Sequence, residues 1–415
     1  MRKSLKYCLT FILTAIICIV LLIVTALIPK ELVKSNMVKS SEEMYDISYI
    51  YFFNNQKNRA FLIHNYPDPI TFNLTYSLDS KKPFTSSILT KYYASKKFGE
   101  KVNVREKAYF DYKPNKEYYR YWHGNMFLVK ALMLVFDYKN ILIFLSVILI
   151  AFALLITCNL YRKNRLLALL FLISNLVCHV YVTFYCLEYI YMFLLSYIMS
   201  LIAFKLIDKD ESKIICFFIV GGVLANFFDF LTTETLVFTL PFFIIFYFGR
   251  NKNFKDSLKF FLKSLIAFLL GYSLMWILKW LILIIIYKQL PNDFLNTHIE
   301  ERGFSLVAVK KEPFKSIYDN LKLIVPFCYL NNNLVILIII CYICYVIWLI
   351  IRKKIDSKGI ILLLISIIPM LRYFVLYKHS IDHTFFTYRA LLPSIMIWIY
   401  MFFRKDDKYE KDYNV

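Results

Sequence analysis

The sequence predicts an all-α integral membrane protein with about ten transmembrane helices and a large first extracytoplasmic loop. Hydrophobic residues make up 59% of the 415-residue chain, and the mean hydropathy is +0.55. A soluble chain of this composition could not cover its own core, so most of it must face lipid. The formal charge of +21 is spread in short clusters between apolar runs. It therefore favours membrane loops and excludes a nucleic-acid partner.

The first predicted span covers Cys8 to Ile28 and follows three basic residues near the N-terminus. Its apolar run is longer than that of a secretory signal, and residues 25–29 make a poor cleavage site. We therefore predict an uncleaved anchor over residues 1–29. About 20 apolar residues span a bilayer as a helix. Further spans are predicted at about 140–160, 166–186, 189–206, 214–230, 236–248, 260–287, 333–351, 359–377 and 390–403.

Basic residues set the predicted orientation. With the N-terminus inside, the inner segments hold more Lys and Arg than the short outer segments, as expected for cytoplasmic loops. An even number of spans returns the C-terminus to the cytoplasmic side. The sequence therefore predicts a multi-pass protein of the cell membrane with both termini in the cytoplasm. The predicted parts are the anchor, an extracytoplasmic loop with interfacial helices over 30–137, a polytopic bundle over 138–403 and a cytoplasmic tail over 404–415.

The long loop is predicted to be ordered because it exceeds the length of a simple connection. Short helices are expected around 38–52 and 84–98, and the apolar stretch 124–137 is too short to cross the membrane. Asp68 lies between two prolines, which hold the backbone extended and fix the direction of its carboxylate. This position predicts either a structural turn residue or a general base.

Charged residues inside the spans are costly and therefore informative. Lys279 and Arg372 lie near the predicted outer ends of their helices, and Arg389 begins the last span. Such residues either extend their charged ends to the interface or face a cavity that holds an anionic group such as a lipid phosphate. Both interpretations stay open from the sequence.

Two further clusters lie in predicted outer turns. Asp229 precedes Thr232-Thr233-Glu234, a pattern typical of a helix cap as well as of a binding site. His379 and His383, with Asp382 between them, could bind a divalent metal ion if they share a helical face. Solvated interfacial side chains are the alternative. We therefore assign no side chain as a metal ligand and leave open whether a divalent metal ion is a cofactor.

Several soluble-enzyme chemistries lack their sequence signatures. The chain has no Walker A loop, GxGxxG, HExxH or GxSxG element. Nucleotide hydrolysis, dinucleotide chemistry and metalloprotease or serine-hydrolase activity are therefore not indicated. The nine cysteines lie in or near apolar runs and give no zinc or disulfide framework.

Five sequence blocks resemble a group of bacterial multi-spanning proteins. They are 65–68, 120–124, 228–233, 271–280 and 379–389. The layout also resembles that of the GT-C glycosyltransferases, with one span, a large outer loop that carries an acid, and then many spans. The resemblance implies a polyprenyl-phosphate-linked sugar as donor and an acid of the first outer loop as base or metal ligand. Asp68 matches that acid. The chain departs from the pattern because no acidic pair follows span one directly.

The leading hypothesis is therefore transfer of a sugar, at the outer leaflet, to a cell-envelope glycan or lipid. Asp68 would deprotonate the acceptor, and the three buried cations would stabilise the departing phosphate. Arg120 and His123 would line the sugar pocket. The partners would be membrane lipids, the lipid-linked donor and the acceptor.

Two alternatives remain. One is a transporter or flippase for an envelope lipid or polysaccharide, although no internal repeat or paired broken helix is visible. The other is a non-catalytic membrane scaffold.

Overall fold

The chain is an all-α membrane protein. The computed structural model describes residues 3–46, 50–51, 59–63, 65–250, 253–288, 312–352 and 354–404. Within these residues, eight helices are long and apolar enough to cross a bilayer. They are Lys3–Leu27, Tyr138–Lys163, Leu187–Leu206, Glu211–Phe228, Phe254–Ile285, Asn332–Ile351, Ser357–Val375 and Thr384–Phe403.

Two of the ten expected spans are short helices. Arg165–Val177 and Leu236–Phe248 have 13 residues each, which is about 20 Å of helix against a hydrocarbon core of about 30 Å. The first is followed by a separate 3₁₀ turn, Val180–Tyr185. The second is surrounded by protein along nearly its whole length. Eight helices of the described residues therefore qualify as candidate spans by length and composition, and the count of ten stays a prediction.

The segment predicted as an ordered loop consists of short helices and two small antiparallel ladders. Its helices are α2 (Lys30–Asp46), α3 (Pro67–Tyr76), α4 (Pro83–Leu89), α5 (Glu100–Phe110) and α6 (Asn125–Met133), which follow α1 (Lys3–Leu27). Its strands are β1 (Ile50–Tyr51) paired with β2 (Leu62–Ile63), and β3 (Lys91–Tyr92) paired with β4 (Lys116–Glu117). The expected helices at 38–52 and 84–98 correspond to α2 and α4, which end earlier, at Asp46 and Leu89.

The remaining helices form the bundle. They are α7 (Tyr138–Lys163), α8 (Arg165–Val177), α9 (Leu187–Leu206), α10 (Glu211–Phe228), α11 (Leu236–Phe248), α12 (Phe254–Tyr287), α13 (Glu312–Leu321), α14 (Asn332–Ile351), α15 (Ser357–Val375), α16 (Tyr377–Asp382), α17 (Thr384–Thr387) and α18 (Leu392–Phe403). Asn or Asp side chains cap the first turns of several of them, as at Asp137 for α7 and Asp356 for α15. The predicted tail lies outside the described residues beyond Arg404.

The 30–137 segment is tied to one end of the bundle by hydrogen bonds. The hydroxyl of Ser87 donates to Leu22 O of α1 at 3.0 Å, and Gly124 N donates to Phe227 O of α10 at 2.9 Å. A side chain at Gly124 would overlap Phe227. These contacts place the polar residues of the segment beside the ends of α9 and α10.

Helices α10 and α12 pack with their backbones in close contact. A Cβ atom at Gly222 would lie 2.1 Å from Phe268 O, and one at Gly271 would lie 2.4 Å from Ile219 O. Small residues allow such close approach in membranes, where van der Waals contact and not hydrophobicity drives helix association. The two glycines therefore hold α12 against α10.

We expect Gly222→Ala to destabilise the bundle because the added methyl group must push the two helices apart. The free energy of unfolding, measured by titration with a denaturing detergent in mixed micelles, should fall by about 1–3 kcal/mol. Gly99→Ala is the control, since nothing lies within 4 Å of a Cβ there. Equal stability of the two variants would contradict the close packing.

Candidate functional site

Asp68 is the second residue of α3, so its backbone is helical and not extended as the flanking prolines predicted. Its side chain is buried against the start of α9. Its Oδ2 accepts hydrogen bonds from the Tyr138 hydroxyl at 2.8 Å and from Leu187 N at 3.0 Å. Its Oδ1 accepts from Glu188 N at 3.3 Å and from the Cys186 thiol at 3.8 Å. Leu187 and Glu188 are the first residues of α9, whose N–H groups have no partner within the helix. A side chain remote in sequence therefore caps this helix.

The surroundings of Asp68 shift its acidity in two directions. Burial raises the pKa of its carboxyl group, and the donors from Leu187, Tyr138, Glu188 and Cys186 lower it, with a net value of about 6. The carboxylate is thus mostly ionised near neutral pH, and its lone pairs are occupied by protein donors. This arrangement gives Asp68 a structural part, while its use as general base stays a prediction.

A second set of carboxylates lies next to Asp68. Glu188 is half-buried and lies within Coulombic range of both Asp68 and Asp229. No group in the described part of the chain donates a hydrogen bond to its carboxylate. Like charges held close together without donors are poorly stabilised. The carboxyl group of Glu188 is therefore left without a protein donor among the described residues.

Asp229 closes the turn after α10. Its Oδ1 accepts from Thr232 N at 2.8 Å and from the Thr232 hydroxyl at 2.9 Å. These bonds close a turn and do not cap a helix, because α11 begins only at Leu236 and its N-cap residue, Thr235, makes no side-chain capping hydrogen bond. Its Oδ2 is buried and has no hydrogen-bond partner among the described residues. Burial and the nearby Glu234 carboxylate raise the pKa of Asp229 to about 7, against the smaller lowering effects of Thr232 and Arg372.

Arg372 connects this turn to α16. Its Nε donates to Glu234 Oε1 at 2.8 Å and its Nη1 to the Ser380 hydroxyl at 2.6 Å. Its Nη2 donates to Leu231 O and lies 3.3 Å from His379 Nδ1. Most of its donors are therefore used within the protein. Leu231 has a positive φ of 64°, so Arg372 also holds a backbone turn that is unfavourable for a branched side chain.

Arg389 is completely buried, and its side chain donates hydrogen bonds to backbone carbonyl groups. Its guanidinium donates to His179 O at 3.3 Å, Phe385 O at 2.6 Å and Ala60 O at 3.3 Å, and it lies 4.9 Å from the ring centre of Tyr388. Three carbonyl groups from separate parts of the chain thus share one cation. The predicted contact of Arg389 with a lipid phosphate has no direct support in this geometry.

Lys279 retains more capacity for a ligand than either arginine. Its Nζ donates to Ile88 O, near the end of α4, at 2.7 Å and lies 5.0 Å from the ring centre of Trp122. An ammonium group has three donors. Among the described residues no carboxylate forms an ion pair with this buried cation.

His123 lies close to Lys279 and to the turn that carries Asp229. Its Nε2 lies 2.6 Å from Tyr118 O, and its ring is 5.4 Å from that of Phe230. Burial and the charge of Lys279 lower its pKa, with a net value of about 3 despite the opposing contact with Tyr118. His123 is therefore neutral at physiological pH. Arg120, three residues earlier, is half-buried.

The two histidines of the HxxDH pattern face each other. The ring centres of His379 and His383 are 4.5 Å apart, whereas Asp382 between them is exposed. Within the part of the chain that the structure describes, no three His, Cys, Asp or Glu side chains are arranged to hold a metal ion.

Hydrogen bonds and Coulombic interactions thus relate several of the predicted site residues to one another in two groups. One contains Asp68, Glu188, Asp229, Glu234, Arg372 and His379, and the other contains Lys279 and His123. Phe230, next to Asp229, contacts the His123 ring and so connects the groups. The sequence places Glu188 and Glu234 in predicted outer turns, but it gave neither of them a role in the site. Their positions beside a helix start and beside Asp229 were the available signal.

No family model, curated protein or solved structure matches this chain.

We expect Asp68→Asn to destabilise the protein because the amide nitrogen would face N–H and O–H donors that need an acceptor. The loss should be about 1–3 kcal/mol in the free energy of unfolding. The same detergent titration measures it, with the exposed Asp382→Asn as matched control. An Asn variant as stable as the parent would show that the cap at α9 contributes little.

Proposed function

We propose that this protein is a membrane glycosyltransferase that moves a sugar from a polyprenyl-phosphate donor to a hydroxyl group of an envelope glycan or lipid. The observation that carries the proposal is the Glu188 carboxylate. It is half-buried, lies beside two buried acids, and accepts no hydrogen bond from the described residues. A carboxylate in such surroundings is suited to take a proton from an acceptor hydroxyl.

Glu188 suits the part of the base better than Asp68 does. The Asp68 oxygens already accept four hydrogen bonds, so an acceptor hydroxyl would have to displace them. Asp68 instead fixes the first turn of α9 and thereby the position of Glu188. Asp229 lies within Coulombic range of Glu188, so a charge on either acid opposes ionisation of the other.

The reaction balances as a simple displacement. The acceptor oxygen bonds to the anomeric carbon of the sugar while the bond from that carbon to the phosphate oxygen breaks. The acceptor proton passes to the carboxylate of Glu188, and the polyprenyl phosphate leaves with the bonding electrons. Lys279 is the buried cation with donors left for that developing charge. Arg120 and His123 stay assigned to the sugar pocket as part of the proposal.

The proposal places the site on the extracytoplasmic side of a cell membrane. The distribution of Lys and Arg supports inner N- and C-termini, and ten crossings would agree with it if the two short helices also cross. Asp68, Glu188 and Asp229 lie where the 30–137 segment meets α9 and α10. That segment would then be the extracytoplasmic loop.

We expect Glu188→Gln to reduce sugar transfer by about 10²–10⁴-fold, because an amide cannot accept the proton. Transfer from a polyprenyl-phosphate sugar, measured with purified full-length protein, checks this. Glu211→Gln is the matched control, since it removes a glutamate that pairs with Lys263 at the other end of α10. Unchanged transfer by the Glu188 variant would remove it as the base.

The pH dependence provides a separate test. An ionised Asp229 increases the affinity of Glu188 for a proton, because it is a nearby like charge. Asp229, whose pKa is raised to about 7, loses this charge as the pH falls, so Glu188 then accepts a proton less readily. The transfer rate should therefore rise with pH and reach half its limit near pH 7. Asp229→Asn should remove this limb, while Asp208→Asn should keep it. A limb of unchanged position in Asp229→Asn would assign the titration to another group.

A transporter would behave differently in the same preparation. It would move a lipid or polysaccharide across vesicles without forming a glycosidic bond, and Glu188→Gln would change flux and not product formation.

A further inference from the structure

Three exposed aromatic side chains form a cluster at the end of α5, and we call them the aromatic tip. Phe110 is 66% exposed, Tyr109 49% and Tyr112 45%. The ring centre of Phe110 lies 6.4 Å from that of Tyr109 and 5.5 Å from that of Tyr112. Single exposed apolar residues are common on protein surfaces, whereas an exposed group of large rings marks an interaction site.

The aromatic tip lies where the chain leaves the first predicted span. Asp111, which comes between Phe110 and Tyr112 in the chain, forms an ion pair with Lys30. Lys30 begins α2 and comes shortly after Leu27, the last residue of α1. The ion pair therefore holds the tip beside the end of a helix that is long and apolar enough to cross the membrane.

Helix α2 connects the ends of two candidate spans. Its first residue, Lys30, follows α1, whereas Lys39 forms an ion pair with Asp137, the N-cap residue of α7. The Ser40 hydroxyl oxygen also accepts a hydrogen bond from Tyr138 N at 2.9 Å. Because α1 leaves the membrane and α7 enters it beside the same short helix, α2 lies along the membrane surface. The aromatic tip, next to its first turn, lies at the depth of the membrane interface.

Exposed apolar side chains continue from α1 towards the aromatic tip. Val24 and Leu27 are exposed near the end of α1, and Leu32 is exposed in the first turn of α2. Exposed apolar residues on a membrane-spanning helix face lipid, and aromatic residues are enriched where lipid meets water. The lipid-facing surface of α1 therefore continues on both sides of the ion pair between Lys30 and Asp111.

Two exposed lysines lie beside the aromatic tip. Lys113 directly follows Tyr112, and Lys34 lies one helical turn after Lys30, on the same side of α2. The ion pairs at this place use Lys30 and Lys107, and no carboxylate of the described residues pairs with Lys34 or Lys113. Unpaired ammonium groups beside large exposed rings are suited to an anionic membrane surface.

We propose that the aromatic tip, with Lys34 and Lys113, docks onto the anionic lipid headgroups of the leaflet at this end of the bundle. The rings enter the headgroup region, and the two ammonium groups contact lipid phosphates. Helix α5 packs against α3, which carries Asp68, so this contact fixes the height of the candidate site above the bilayer. The lipids are ordinary membrane lipids and not the sugar donor, whose phosphate is assigned to Lys279. The inference does not depend on the proposed activity.

Photo-cross-linking of the full-length protein in lipid nanodiscs tests this docking. Phe110→p-benzoylphenylalanine places a photoreactive group in the aromatic tip, and mass spectrometry of the intact protein then measures the fraction that carries an attached lipid. We expect lipid adducts in phosphatidylglycerol nanodiscs and about fivefold fewer in phosphatidylcholine nanodiscs. Ile143→p-benzoylphenylalanine, on the exposed face of α7, is the control and should react equally with both lipids.

A second pair of variants tests the two lysines. In the Phe110 cross-linking variant, Lys34→Gln together with Lys113→Gln should lower the yield with phosphatidylglycerol to the level found with phosphatidylcholine. Salt at about 1 M should have the same effect, because it shortens the screening length to about 3 Å. Lys209→Gln together with Lys255→Gln removes two exposed lysines at the other end of the bundle and should leave the yield unchanged.

Four results would overturn the inference. They are the absence of lipid adducts at position 110 in both nanodiscs, equal yields with the two lipids, a yield that the Lys34 and Lys113 substitutions leave unchanged, and a cross-link to a second copy of the chain in place of lipid. The last would show that the aromatic tip is a contact between subunits. Sugar transfer is measured separately, so its loss or presence leaves this inference unaffected.

Discussion

Helix ends inside a membrane protein must have hydrogen-bond partners, because lipid provides none. In this protein the partners come from residues far away in sequence. Asp68 caps α9, which begins at Leu187, and Arg389 serves three separate carbonyl groups. Lys279 meets a carbonyl group near the end of α4. The short segments between the spans can be ordered because these buried charges are used to join them.

This requirement also explains the character of the candidate site. Asp68 accepts hydrogen bonds from the first turn of α9, which also carries the next acid, Glu188. The Asp229 turn is closed by its own Thr232 and held by Arg372 through Glu234. One oxygen of each of these two acids, Asp229 Oδ2 and Glu234 Oε2, is buried without a hydrogen-bond partner among the described residues.

The sequence predicted the features that depend on composition and length. Eight of the expected spans are helices long and apolar enough to cross a membrane, and the apolar run before Tyr138 forms the short helix α6. The sequence could not predict how many hydrogen-bond donors of a buried cation are already used by the protein. Arg372 and Lys279 look alike as isolated cations in apolar runs, yet the first has four protein contacts and the second has one acceptor. Nor could it predict that the Glu188 carboxyl group lacks protein donors among the described residues, because this depends on how the 30–137 segment folds over α9.

Helix α14 makes few contacts with the rest of the protein, and this affects how the protein is purified. Because only 6% of its apolar stretch is buried within the protein, its position depends mainly on the surrounding bilayer. Detergents with short tails would let α14 move away from α15 and α18. Lipid nanodiscs would keep a bilayer around it and so preserve contacts such as that of Tyr342 with Phe402 of α18.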